Sequence, residues 1–241
     1  MFKIRVHLWL IRVRASSSGM RRFKSDIPPD VIEQTTREFR REGGAIYYRL
    51  TACILNGEVV GQRGYGEQGQ LVSESPIKNG NKHGREFQWD DDGTLSLIEP
   101  YVKGKIHGTA KQYGRSGSVI GTYTLRHGTG YDIWRQESED GAIHISEIHT
   151  LKDGLPHGYE WWLTDKPQIL WHEIHWHEGQ YHGIERQWNA AHKLRRGFPC
   201  YWINGDRVNK EKYLRAAKKD PTLPPFRLKD NSPRRKLPIY I

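Results

Sequence analysis

The chain has 241 residues, 36% of them apolar, with 9 Trp and 12 Tyr. That is enough to bury a core and too aromatic for a disordered tail. No apolar run approaches the length of a membrane-spanning helix, and two cysteines exclude a disulfide scaffold or a cysteine-only zinc site.

The net charge of +10 is segregated along the chain. Residues 1–42 carry 10 Lys+Arg against 5 Asp+Glu, residues 43–192 carry 14 against 19, and residues 193–241 carry 14 against 4. The middle is acidic and the cations sit in the ends. A protein that tracks phosphates spreads its cations along one face or groove, so nucleic acid is a disfavoured partner. Weak contact of the basic ends with an anionic membrane surface is the alternative.

Residues 1–29 read as a poorly ordered basic extension. Arg5 and Arg12 interrupt the apolar run that a secretory signal needs. Met20 is a second candidate start, and the expected location is cytoplasmic. Residues 30–44 read as an N-terminal helix: Asp30 and Glu33 have capping-box spacing, two prolines precede them, and Gly43-Gly44 ends the element.

Residues 45–206 repeat. Marker glycines stand at Gly57, Gly80, Gly104, Gly128, Gly154, Gly179 and Gly205, at steps of 23 to 26 residues. The phrase around them reads NGNKHG at 79–84, KGKIHG at 103–108, DGLPHG at 153–158 and EGQYHG at 178–183. Gly93, Gly117 and Gly141 mark a second turn, replaced by Pro167 and His192 in later units. Between turns the pattern alternates: Arg85, Phe87 and Trp89 oppose Glu86 and Gln88, and Ile184, Arg186 and Trp188 oppose Glu185 and Gln187. Period 2 with glycine turns specifies strands and hairpins. The expectation is an all-β repetitive antiparallel meander of about six 24-residue repeats and 12–14 strands, flanked by short N- and C-terminal helices.

The recurring N/K-G-x-x-H-G phrase, followed by a strand ending in an aromatic residue, then x-x-x-G and an apolar residue, resembles the MORN repeat variant of the YwqK family of bacterial antitoxin components. The resemblance covers about residues 54–205. It implies a repetitive antiparallel sheet that binds a protein partner, a cognate toxin in that family, and it implies no catalytic residues. It departs from MORN phrases that begin with a tyrosine-rich motif at a shorter step.

Residues 207–241 read as a helical cap and basic tail, with Asn209 capping a helix over 210–219 and Asp220-Pro221 stopping it. A cap suits an array whose open ends invite edge pairing.

The chemistry-bearing residues form no convergent set. Glu173, His175 and His177 alternate onto one strand face, but neighbours two apart are about 6–7 Å apart, too far to share one metal ion without a second strand. His83, His107, His157 and His182 occupy one repeat position, which points to turn geometry. Cys53 and Cys200 lie in apolar surroundings, as buried thiols do. Gly61–Gly66 and Asp90–Gly93 lack the context of a phosphate loop or a calcium loop. The expected protein is therefore non-enzymatic, without cofactor or metal, and binds a protein partner. The polar face bearing Glu86, Gln88, Gln112, Glu160, Glu185 and Gln187 is the expected contact surface, and its acidity favours a basic partner.

Overall fold

The structure is a computed structural model that describes residues 23–165, 167–235 and 237. The remainder of the expected extension, residues 1–22, lies outside the described residues. The first strands are β1 (Ile32–Arg40), β2 (Ile46–Leu55), β3 (Glu58–Gly66), β4 (Leu71–Lys78), β5 (Asn81–Lys82), β6 (Gly84–Trp89), β7 (Leu95–Val102), β8 (Lys105–Ile106) and β9 (Gly108–Tyr113). Then follow β10 (Val119–Arg126), β11 (Thr129–Glu137), β12 (Ile143–Lys152), β13 (Leu155–Leu163), β14 (Leu170–His177), β15 (Gln180–Tyr181), β16 (Gly183–Gln187), β17 (Cys200–Ile203) and β18 (Asp206–Val208). Pairing is antiparallel throughout and runs between near neighbours in sequence, with β4 pairing both β5 and β6, β7 both β8 and β9, and β14 both β15 and β16, giving one open meander sheet. Helix α1 (Lys210–Ala217) follows the last strand. Among the described residues no helix is long and apolar enough to cross a membrane.

The marker turns explain the repeat. Each pairs the residues flanking two central positions, as in Leu55↔Glu58, Lys78↔Asn81 and Ile203↔Asp206. The first central residue (Asn56, Asn79, Lys103, His127, Asp153, Glu178 or Asn204) has φ between +49° and +56°, and the glycine after it has φ between +74° and +86°. Two successive positive φ values define the I′ turn, whose twist matches that of the strands it joins. The second turn is a longer loop closed by a residue of positive φ, Gly93, Gly117 or Gly141. His192 takes that conformation, at φ +60°, in a later unit.

Successive I′ turns are tied to one another. The glycine N–H of one turn donates to a carbonyl of the preceding unit: Gly104 to Lys82, Gly128 to Ile106, Gly154 to Gly128, Gly179 to Pro156 and Gly205 to Tyr181, at 2.7–2.9 Å. The repeat histidine adds a second tie. His107 Nδ1 accepts from the His127 N–H at 3.1 Å, and His182 Nδ1 from the Asn204 N–H at 3.1 Å. In the irregular unit Thr129 Oγ1 does the same for Asp153 N–H at 3.0 Å.

Three features differ from the sequence expectation. Residues 30–44 do not form a helix: Ile32–Arg40 is strand β1, paired along β2. Its side chains alternate, and Glu33 is held by Arg63, Tyr65 and Thr51 of the sheet, contacts that a helix could not have made in register. Eighteen described strands replace the expected 12–14. The excess arises because the bend at the His-Gly step splits β5 from β6, β8 from β9 and β15 from β16, and because β1 is a strand. The C-terminal helix is present but ends at Ala217, with Asn209 Oδ1 accepting from Lys212 N–H at 2.8 Å as its cap.

Register assigns every strand residue to one of two faces. Face A carries Thr51, Arg63, Glu74, Phe87, Ile98, Lys111 and Thr122, and beyond β10 Ile133, Ile148, Trp161, Glu173 and Arg186. Face B carries Glu86, Glu99, Ala110, Tyr123, Asp132, His149, Glu160 and Ile174. The terminal segments both cross face A. At one end, buried Ile27 packs over Gly61, where a Cβ would sit 2.3 Å from its Cδ1. Phe23 meets Phe87 and Tyr113, and Asp26 pairs with Arg85. At the other, α1 buries Tyr213 with Ile184, Tyr201 and Leu223. The largest apolar cluster joins Leu125, Ile133, Ile148, Trp161, Leu163 and Leu170.

Candidate protein-binding face

The six residues expected to form the contact surface do share face B. Glu86 and Gln88 come from β6, Gln112 from β9, Glu160 from β13, and Glu185 and Gln187 from β16. Their exposure differs from the expectation. Gln88, Glu185 and Gln187 are half-buried, whereas Glu86, Gln112 and Glu160 are 6%, 2% and 8% exposed. The reason is that neighbours on the same face close over them. Glu86 is bonded by Lys82 Nζ and by Gln88 Nε2, the latter at 3.1 Å. Gln112 Oε1 accepts the Arg135 N–H at 3.1 Å, and Glu160 faces His149 Nδ1 at 3.0 Å. Alternation predicts which side a residue faces, but not how its neighbours fold over it. Of the six, Gln88, Glu185 and Gln187 reach the surface of the face, and Glu86, Gln112 and Glu160 lie beneath it.

The face holds two polar groupings. In the first, Glu86 and Glu99 stand opposite each other on β6 and β7. Glu99 accepts from Tyr101 Oη at 2.9 Å and from Tyr123 Oη, and it lies in the field of Asp132. Burial pushes the Glu99 and Asp132 carboxyls up from their ordinary values. Asp132 Oδ1 and Gln112 Nε2 are both buried and have no hydrogen-bond partner among the described residues.

The second grouping centres on Trp162. His149 lies between Glu147 and Glu160, its two ring nitrogens each 3.0 Å from a carboxylate. Burial alone would lower its pKa, but the Glu160 hydrogen bond and charge outweigh burial and raise it. His172 stacks on Trp162 with ring centroids 4.5 Å apart and meets Glu185 at 3.1 Å. Trp202 Nε1 donates to Glu185 at 2.9 Å. Burial opposes the Glu185 charge, yet the His172 and Trp202 hydrogen bonds carry its pKa down. This cluster of imidazole, carboxylate and indole was not identified as a site by sequence reasoning; Trp162 and His172 become neighbours only through the β13–β14 register.

The other sequence candidates are placed elsewhere. Glu173 lies on face A between Arg186 at 2.8 Å and Arg235 at 2.9 Å. His175 Nδ1–H donates to the His182 carbonyl at 2.6 Å, and the His177 ring lies 4.9 Å from that of His157. Glu173, His175 and His177 therefore serve separate contacts. Among the described residues no group of three His, Cys, Asp or Glu side chains is placed to hold a metal ion. Cys53 and Cys200 are free and buried, and burial raises both thiols, Cys53 to about 11.

No known family profile matches the chain. No curated protein matches it. Among solved structures, a similar chain belongs to the Glycosylation Associate Protein (Gap123) complex from Streptococcus agalactiae, at 21% identity and a TM-score of 0.32. The likeness covers 45% of this chain and 19% of that one, so the chain spans about a fifth of that relative. A partial likeness of that size carries nothing about function.

Proposed function

We propose that this is a non-enzymatic repeat protein that binds a protein partner through face B, an antitoxin-like component that neutralises a toxin by occluding it. The antitoxin part rests on the resemblance of the N/K-G-x-x-H-G units to the YwqK-type MORN variant. One observation carries the binding reading: Glu86, Glu99, Asp132, Glu147, Glu160 and Glu185 share a single face with half-buried Gln88, Trp162, Gln187 and Trp202. The acidic groups of this face, Glu185 with its lowered pKa among them, favour a basic partner, and the half-exposed indole and amide groups supply contact area. A second reading, a peripheral scaffold on an anionic membrane surface or nucleic acid, draws on the exposed cations Lys210, Lys212, Arg215, Lys218 and Lys219 around α1. Affinity capture from native lysate at low and at moderate salt separates the two. The first reading expects one protein retained at moderate salt by the wild type and lost from a Gln88→Lys, Gln187→Lys double variant. Retention of lipid or nucleic acid alone, released as salt rises, overturns it in favour of the second.

A further inference from the structure

The end of the described chain sits on the sheet as a bound peptide does. Leu170 N–H donates to the Pro233 carbonyl at 3.1 Å. Trp188 Nε1 donates to the Asn231 carbonyl at 2.7 Å, and Arg186 Nε to Asn231 Oδ1 at 3.3 Å. The two bonds to backbone carbonyls hold the segment by its main chain and leave its side chains to give selectivity.

The side chain that does so is Arg235. Its Nε and Nη2 donate to the two oxygens of Glu173 at 2.9 and 3.1 Å. Its guanidinium lies 5.7 Å from the Trp188 ring centre. Glu173 is 2% exposed at its side chain and is fixed from behind by Arg186 Nη1 at 2.8 Å and Trp161 Nε1 at 3.0 Å. A preset carboxylate that meets a planar fork with two bonds, beside an indole, selects arginine over lysine. The floor also holds a buried donor, Arg186 Nη2, that has no hydrogen-bond partner among the described residues. Arg186 is completely enclosed by the sheet and tail, whereas Arg235 enters from the tail and is 16% exposed.

We propose that the Glu173–Trp188 site is a binding site for an extended peptide segment bearing an arginine, and that the chain's own Asn231–Arg235 segment occupies it as a latch which an arginine-bearing segment of a partner displaces. The displacement rests on the protein-binding reading; the peptide site itself does not.

The test uses the full chain carrying Arg235→Ala, in which Arg186 and Trp161 still partner Glu173. The probe is a synthetic peptide with the sequence of residues 227–241, and a second peptide carrying Arg235→Lys. The variant is expected to bind the first peptide, and the wild type to bind it at least about tenfold more weakly because its own tail competes. The second peptide is expected to bind the variant roughly tenfold more weakly than the first. Amide exchange at Leu170 is expected to speed up in the variant and to slow again when the first peptide is added. No binding to a cooperatively melting variant, or equal binding of the two peptides, overturns the proposal. If Arg235→Ala does not fold, the full chain carrying Arg235→Lys takes its place with the same readings. The outcome is independent of partner capture, so failure of either leaves the other standing.

Discussion

Asp132 shows how a residue on face B can be placed at a cost. Its carboxyl is buried beside Glu99 and Tyr123, and among the described residues Oδ1 has no hydrogen-bond partner. Burial raises its pKa, so the folded state favours the protonated acid. A raised folded pKa means that the folded chain binds more protons than the unfolded one in the window between the two values. The contribution of Asp132 is therefore fully present below the unfolded carboxyl range and is lost as pH rises through the folded pKa. Asp132→Asn removes the charge and keeps the shape. The variant should gain melting temperature relative to wild type at pH 8 and gain less, or lose, at pH 5. Paired melting curves check this, and an equal difference at both values would show that desolvation of the charge is not the dominant effect. Glu99, also raised by burial, works in the same direction but keeps its tyrosine donors. His182 works in the opposite direction. Burial lowers its pKa, and its Nδ1 must stay unprotonated to accept the Asn204 N–H. Its contribution is present above the unfolded imidazole value and is lost as pH falls. His182→Ala, at a site 1% exposed, should cost roughly 2–3 kcal/mol in denaturant melts.

At the scale of the element, the turn alone sets the repeat. Asn, Asp and Gly tolerate positive φ, so the NG and DG markers read as hairpins by themselves, and KG, HG and EG read so only through their place in the repeat. The same logic makes a prediction at His192, which holds φ +60° in the loop where sister units place glycine. A non-glycine residue pays roughly 1 kcal/mol to sit there. His192 is exposed, and its own N–H bond to the Asn189 carbonyl survives substitution. His192→Gly should therefore stabilise the chain by about 0.5–1 kcal/mol in urea melts, with the slope of the transition unchanged. A destabilised variant would mean that the imidazole makes a contact which outweighs the backbone strain. The strand β1 shows why part of the fold was not legible. Asp30 and Glu33 have capping-box spacing, but Ile32, Thr35, Thr36 and Phe39 are strand formers, and pairing with β2 decides between them. That preference is tertiary, and a local window does not contain it. β1 also forms one edge of the sheet, and the register shift between Thr35 and Arg37, with Glu38 and Arg40 exposed, blunts it against edge pairing.

For the whole molecule, each half of face A is crossed by a segment from outside the repeat, over a buried glutamate paired with an arginine. Ser25 Oγ bonds Glu74, which Arg63 Nε meets at 2.9 Å, as Arg235 bonds Glu173, which Arg186 meets at 2.8 Å. Neither closure has a periodic signature, so the repeat was legible in the sequence and the straps across it were not. Trp188 and Glu173 could be placed on a strand, but not opposite an arginine some 60 residues later. The sheet is a meander whose strands meet near neighbours in sequence, and in such an array stability is a sum of unit and neighbour terms. Damage at one strap should then stay local. Ile27 is 3% exposed and fills the space above Gly61, so Ile27→Ala should cost about 2–4 kcal/mol where it acts. Amide exchange under native conditions should lose protection in β2, β3, β4 and β6, while β12, β13 and β14 keep theirs. An equal loss along every strand would show that the sheet opens as one cooperative unit, with coupling carried through the apolar cluster that joins Leu125 of β10 to Ile133 and Ile148 beyond it.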